Sequence, residues 1–241
     1  MSTEKKFVAS PEGKGKAKQL RMFALLAWLI AMVGQVVSIL YLINDETLTY
    51  LIIAIVVILA LAITGSTLWK KANRLDPASE ADQTKFFFQN QFGAIMNVLA
   101  FLPMVILILT NKEASGKTKG IAGGIAAVAM LIAGISGADF DPPSVEKYTE
   151  QINSQTEVVK KLNYDSDNVY WSRAGNRYHL FDDCQHIRGR EQSLGSVQDS
   201  WDEKGISELC KTCQARAIRD RNITDADLDI PVLEGEDILE N

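Results

Sequence analysis

Both histidines and all three cysteines of this 241-residue chain fall between Tyr178 and Cys213. They stand in two short pieces, "YHLFDDCQHIRGR" (residues 178–190) and "LCKTC" (residues 209–213). Thiolates and imidazoles are the donors zinc prefers, and a structural zinc site fills four tetrahedral positions with them. His179, Cys184, Cys210 and Cys213 supply a Cys3His set. Cys184, His186, Cys210 and Cys213 are a competing set, which requires "CQH" to bend back tightly and offer both side chains. A disulfide would leave one of the three cysteines over, and a reducing compartment disfavours it. A thioredoxin-like redox pair would use "CKTC", but no βαβ pattern surrounds that motif.

Donors so far apart in sequence need folded elements to bring them together. "VYWS" and "RYHL" flank "RAGN", whose Gly175 and Asn176 supply turn chemistry, so residues 169–180 are expected to form a β-hairpin. That hairpin would deliver His179 near the end of its second strand and leave Cys184 in the loop beyond. Ser196 and Asp199 can cap a short helix, "VQDSWDEK", stopped by Gly205. Cys210 and Cys213 then open a final helix, and a C-x-x-C pair at a helix start holds two thiolates on one side of a metal. Hairpin, loop cysteine and helix-borne pair follow the order of a treble-clef zinc fold. The expected module is a small α+β unit over residues 164–222. A module of about sixty residues is marginal without a staple, and zinc supplies folding free energy on the order of 10 kcal/mol in such modules.

At these residues a resemblance appears. "RYHLFDDC" with "WDEKGISELCKTC" resembles the YH-x-x-x-C and C-x-x-C modules appended to some bacterial secreted and membrane proteins, and more distantly the zinc module of the Ada DNA-repair protein. The likeness covers residues 169–219 and implies that His179, Cys184, Cys210 and Cys213 are the ligands. Two spacings, His179 to Cys184 and Gly205 to Cys210, are a residue longer than in that pattern. Ada has a methyl-accepting cysteine where His179 stands, so the resemblance implies no repair activity. The membrane half resembles no recognised family.

Ahead of the module lie four apolar spans: residues 22–43, 51–69, 92–110 and 121–138. None contains a charged residue, and a helix needs about 20 apolar residues to cross the hydrocarbon core. The expected fold is therefore a membrane all-α bundle of four transmembrane helices followed by the treble-clef-like module. Residues 1–21 form a basic N-terminus, residues 144–163 a connecting helix and residues 223–241 an acidic, flexible tail with seven acids and no basic residue. The first span is longer than a signal-peptide core and no small-x-small site follows it, so it reads as a retained helix. Basic residues cluster before span one (Lys14, Lys16, Lys18, Arg21) and between spans two and three (Lys70, Lys71, Arg74, Lys85). Positive-inside bias then puts both termini in the cytoplasm of a multi-pass cell-membrane protein, although Lys112, Lys117 and Lys119 pull the other way.

Within the spans, Gln35, Ser38 and Asn97 are polar, Pro103 is a helix breaker, and Tyr50 and Trp69 read as interfacial anchors. Span four is rich in small residues: Ala129, Ala133 and Gly137 share a face, as do Gly120 and Gly124, which favours close packing in the bundle or against another subunit. Ion pumps and proton-coupled transporters need ionisable groups at depth, which these spans lack. In the connecting helix, Val145, Tyr148, Ile152, Val159 and Leu162 follow an a/d spacing broken by Gln155, as in a helix packed on its own module or a short self-association stalk.

The resulting expectation is a non-enzymatic protein of the lipid bilayer presenting a structural Zn2+ module for protein interaction or scaffolding, with either a protein partner or self-association through the bundle. A zinc- or redox-responsive regulator is the alternative. Catalytic zinc would need an open position, with Asp182, Asp183 or Glu208 beside a three-ligand site. Nucleic acid is disfavoured, because the module's arginines are nearly matched by acids and the chain carries a net charge of -5.

Overall fold

The computed structural model describes residues 6–221 and Ile223. Apart from Ile223, the acidic tail expected over 223–241 lies outside the described residues, as do residues 1–5 of the basic N-terminus. The chain divides into two compact units. One is Lys14–Ser144; the other joins the N-terminal residues up to Gly13 with those from Val145 onward.

The first unit is built on four helices long and apolar enough to cross a membrane: α1 (Pro11–Tyr41, whose first residues belong to the other unit), α2 (Leu48–Leu75), α3 (Gln83–Thr110) and α4 (Gly116–Gly137). All four begin ahead of their apolar spans. At 28 residues and 1.5 Å per residue, α2 and α3 are each about 42 Å long, against a hydrocarbon core of about 30 Å. Their polar ends continue the helical hydrogen bonding past the region where hydropathy marks a span.

Buried residues of α1 recur at alternating spacings of four and three (Ala24, Trp28, Ala31, Gln35, Ser38), a coiled-coil-like seam. α4 turns Ala122, Ala126, Ala129, Ala133 and Gly137 inward, while Gly120 and Gly124 face open space. α3 and α4 approach backbone to backbone: a Cβ on Gly137 would lie 2.7 Å from the Gly93 carbonyl. Only glycine fits there. On α2, a Cβ on Gly65 would meet the Trp28 indole at 2.7 Å.

Asn97, fully buried on α3, ties all four helices together. Its Nδ2 donates to Ser66 Oγ of α2 at 2.9 Å and to the Ala133 carbonyl of α4 at 2.6 Å. Its Oδ1 accepts the Trp28 indole N–H of α1 at 3.1 Å. Ser38 bonds back to the Gly34 carbonyl of its own helix, and the buried Gln35 amide nitrogen makes no hydrogen bond among the described residues. Tyr50 is exposed and Trp69 half-buried. Trp69 packs on Trp28 and Phe92 at ring distances of 5.7 and 4.7 Å and donates to the Gln89 carbonyl at 2.8 Å.

The second unit holds α5 (Val145–Leu162), β1 (Asn168–Ser172), β2 (Arg177–Tyr178), β3 (Gln192–Ser196), α6 (Val197–Lys204), β4 (Glu208–Leu209) and α7 (Lys211–Arg221). The expected hairpin is corrected. β1 pairs antiparallel with β3, from Asn168 opposite Ser196 to Ser172 opposite Gln192, whereas the "RAGN" turn leaves a single bridge, Tyr170 to His179. β2 pairs instead in parallel with β4. α6 carries the expected capping box between Ser196 and Asp199 and ends on Gly205 at φ 67°, a left-handed conformation that suits glycine.

α5 is part of this unit's core and not a free-standing connector or stalk. Tyr148, Ile152, Val159 and Leu162 are buried with Val169, Trp171, Tyr178 and Trp201. Gln155, which breaks the a/d pattern, explains the docking. Its Oε1 accepts from Trp201 Nε1 at 2.9 Å and from the Tyr178 hydroxyl at 3.4 Å, and its Nε2 donates to the Ser207 carbonyl at 2.5 Å. The N-terminal segment joins the same core. Phe7 is 6% exposed, meets Tyr148 edge-on at 5.2 Å, and donates its N–H to Thr149 Oγ1 at 2.9 Å.

Replacing Asn97 by Leu removes three interhelical hydrogen bonds, each worth about 0.6 kcal/mol and at most about 2. Reversible unfolding in mixed micelles is expected to show a loss of about 2 kcal/mol. Gly137→Leu, which forces two backbones apart, is expected to cost more. Wild-type stability in both variants would remove these contacts from the account.

Candidate metal centre

Cys184, His179, Cys210 and Cys213 converge because different local devices bring each one in. His179 leaves β2 held to Tyr170 by two backbone hydrogen bonds of 2.7 and 2.8 Å. The parallel pairing of β2 with β4 carries the next residue, Cys210, to the same place, where its N–H donates to the Tyr178 carbonyl at 2.9 Å. The Cys210 carbonyl accepts the Gln214 N–H at 3.0 Å, opening α7, so Cys213 falls in that helix's first turn. Cys184 opens a tight turn: its carbonyl accepts the N–H of Ile187 at 2.9 Å and of Arg188 at 2.8 Å. Gln192 of β3 then fixes that turn by donating to the carbonyls of Asp182 at 2.9 Å and Ile187 at 3.1 Å. This fixing contact had no signal in the sequence pattern.

One donor atom from each of the four side chains lies within 4.8 Å of all the others, and all four residues are buried. Such a group could hold a metal ion. With Zn–S near 2.3 Å and Zn–N about 2.0–2.1 Å, two donors of one tetrahedron stand about 3.6 Å apart. Cys213 Sγ and His179 Nδ1 are separated by 3.6 Å. His186 is not in the group. It is exposed, its ring centroid is 6.3 Å from that of His179, and its Nε2 sits 3.3 Å from Thr212 Oγ1. Asp183 is drawn off by Arg216 at 2.6 Å and Glu208 by Arg177 at 3.0 Å, so each carboxylate has a partner of its own.

Electrostatics distinguish the donors. Burial, helped by His186 and Arg177, pushes His179 down to about 4, so its imidazole is neutral at physiological pH and its lone pair is free for a cation. Burial pushes the Cys213 thiol up to about 12, while the N–H groups of Leu180 and Phe181, which hydrogen-bond the sulfur, pull the other way. Such N–H donors are the outer contacts a metal-bound thiolate needs. Without a cation the thiol keeps its proton; with one, the proton leaves.

A small pocket of about 100 Å³ opens beside two of the sulfurs, lined by Cys184, Cys213, Gln185, Thr212 and the Phe181, Asp183 and Arg216 side chains. Arg216 spans its wall, bonded to Asp183 and stacked over the Phe181 ring at 4.1 Å. Compared with known protein families, curated proteins and solved structures, the chain matches none.

Metal uptake near neutral pH displaces the Cys213 proton, whereas the already neutral His179 has none to give up, so apparent affinity is expected to rise with pH. Titration calorimetry in buffers of different ionisation enthalpy checks this, and uptake without proton release would contradict it. Removing the wall with Arg216→Ala is expected to speed metal transfer to a chromogenic chelator severalfold, with the number of metals held unchanged.

Proposed function

We propose that this chain is a multi-pass membrane protein whose second unit is a treble-clef-like module, held by a structural Zn2+ on His179, Cys184, Cys210 and Cys213, that serves at the cytoplasmic face as a protein-interaction or scaffolding platform. The buried His/Cys3 group carries this reading. Three sulfurs and one nitrogen at tetrahedral spacing suit zinc, and four protein donors leave no open position of the kind catalytic zinc uses. The order of ligands, two from a strand end and its loop and two from a helix start, supports the treble-clef assignment. Leu194, 60% exposed on β3, and Tyr164, 82% exposed, offer apolar contact area to a partner.

Topology is supported from within the second unit. Phe7, ahead of all four long helices, packs with Tyr148 and Trp201, which follow them, so both segments lie on one side of any bilayer the helices cross. An even number of crossings satisfies this. The basic residues flanking α1 and α2 favour the cytoplasmic side.

A regulatory reading has one specific observation behind it: the pocket that reaches Cys184 and Cys213 gives oxidants or competing chelators a route to two ligand sulfurs. Rapid, reversible zinc loss under mild peroxide would favour it over a purely structural site.

Elemental analysis of the detergent-purified full chain decides the matter. One zinc per chain is expected, lost in His179→Ala, kept in His186→Ala, and accompanied by a large drop in the module's melting temperature on chelation. A metal-free chain whose melting is indifferent to chelators would sink the zinc reading.

A further inference from the structure

The end of the bundle where α1 and α3 begin and α2 and α4 end is drawn together by side chains. Arg21 of α1 pairs with Asp76 at 2.8 Å, and Asp76 also accepts at its carbonyl from Gln89 of α3 at 2.8 Å. Gln91 of α3 donates to the Asp139 carbonyl, just past α4, at 3.0 Å, and Arg74 of α2 stands 3.7 Å from the Asp139 carboxylate. Over residues 14–21, 70–85 and 139–144 this end carries eight basic residues against five acidic ones. The acids Asp76 and Asp139 are consumed by Arg21 and Arg74. Lys14, Lys18, Lys71 and Lys85 are exposed and form no ion pair among the described residues.

Two exposed aromatic residues belong to the same end of the bundle. Phe88, three residues after Lys85 on the same helix, is 54% exposed, and Phe140, three residues beyond α4, is 81% exposed. The opposite end has no such excess: Lys112, Lys117 and Lys119 are balanced by Asp45, Glu46 and Glu113. Lysines over the headgroup layer with rings at its acyl boundary are the two components by which a surface selects anionic membrane lipid.

We infer that this end of the bundle binds the headgroups of anionic phospholipids, with Lys14, Lys18, Lys71 and Lys85 contacting the phosphates and Phe88 and Phe140 seated among the upper acyl chains. The inference rests on the membrane reading of the four helices. An exposed lysine near an anionic surface favours association about fivefold, so four of them give a preference that depends steeply on salt.

The test reconstitutes the full chain and measures, by electron spin resonance, the association of spin-labelled phosphatidylglycerol relative to phosphatidylcholine. A severalfold preference for phosphatidylglycerol is expected, weakening with salt. Replacing the four lysines together by Gln should bring the ratio close to one, replacing them by Arg should keep it, and Gln at Lys112, Lys117 and Lys119 should leave it unchanged. Equal association of both lipids with wild type, or a preference that survives loss of the four lysines, would overturn the inference. Free inorganic phosphate at matched ionic strength should not compete; if it does, the site recognises the ion and not the lipid surface. Alkaline carbonate extraction separates this from failure of the membrane reading, since a chain that leaves the vesicles refutes the latter and a chain that stays with no lipid preference refutes only this inference.

Discussion

Three thiols and an imidazole buried within 4.8 Å of one another are the constraint on which the second unit turns. Its sheets have only two strands each, and two of the four strands are two residues long. Ladders that short contribute little by themselves. β2 and β4, the Cys184 turn and the start of α7 all end on the same donor cluster. Without a cation, burial holds the proton on Cys213. A divalent ion bound there would turn the same geometry into a cross-link between segments distant in sequence, at a gain on the order of 10 kcal/mol.

The membrane-length unit solves a similar problem by other means. Apolar helices have no hydrophobic reason to prefer each other over lipid, so small residues and a few buried polar groups decide the packing. Asn97 contacts each of the other three helices through one side chain, and Gly93 with Gly137 lets α3 and α4 touch backbone to backbone. Each unit thus gathers its elements onto one polar point inside an apolar surround.

Much of this was legible in the sequence, and the exceptions have physical causes. Length and hydropathy are local properties, so the four long helices could be read directly, as could the Ser196 and Asp199 capping box and Gly205 that bound α6. Strand pairing is not local. "RAGN" has good turn chemistry, yet β1 takes β3 as its main partner because the intervening Cys184 turn, clamped by Gln192, brings β3 back alongside. Gln155 looked like a flaw in a heptad and is instead the polar contact that docks α5. Trp69 closes its apolar span, and hydropathy does not mark the Gln89 carbonyl on α3 that its indole N–H finds. Nothing in periodicity marks Phe7 as a core residue, since its partners lie more than a hundred residues away.

That distant partnership bears on biosynthesis. Phe7 leaves the ribosome before α1, and Trp201 leaves it after α4, so the segment around Phe7 waits while the membrane-length helices are made and inserted. If the four long helices cross a bilayer, its seat against Tyr148 and Trp201 is reached only after an even number of crossings. A chain that missed one crossing would leave Phe7 stranded on the far face and the later unit with an open apolar notch, the kind of surface that quality-control proteases and chaperones read. The contact of one phenylalanine therefore makes the stability of the last-made unit report on whether the earlier helices were threaded correctly.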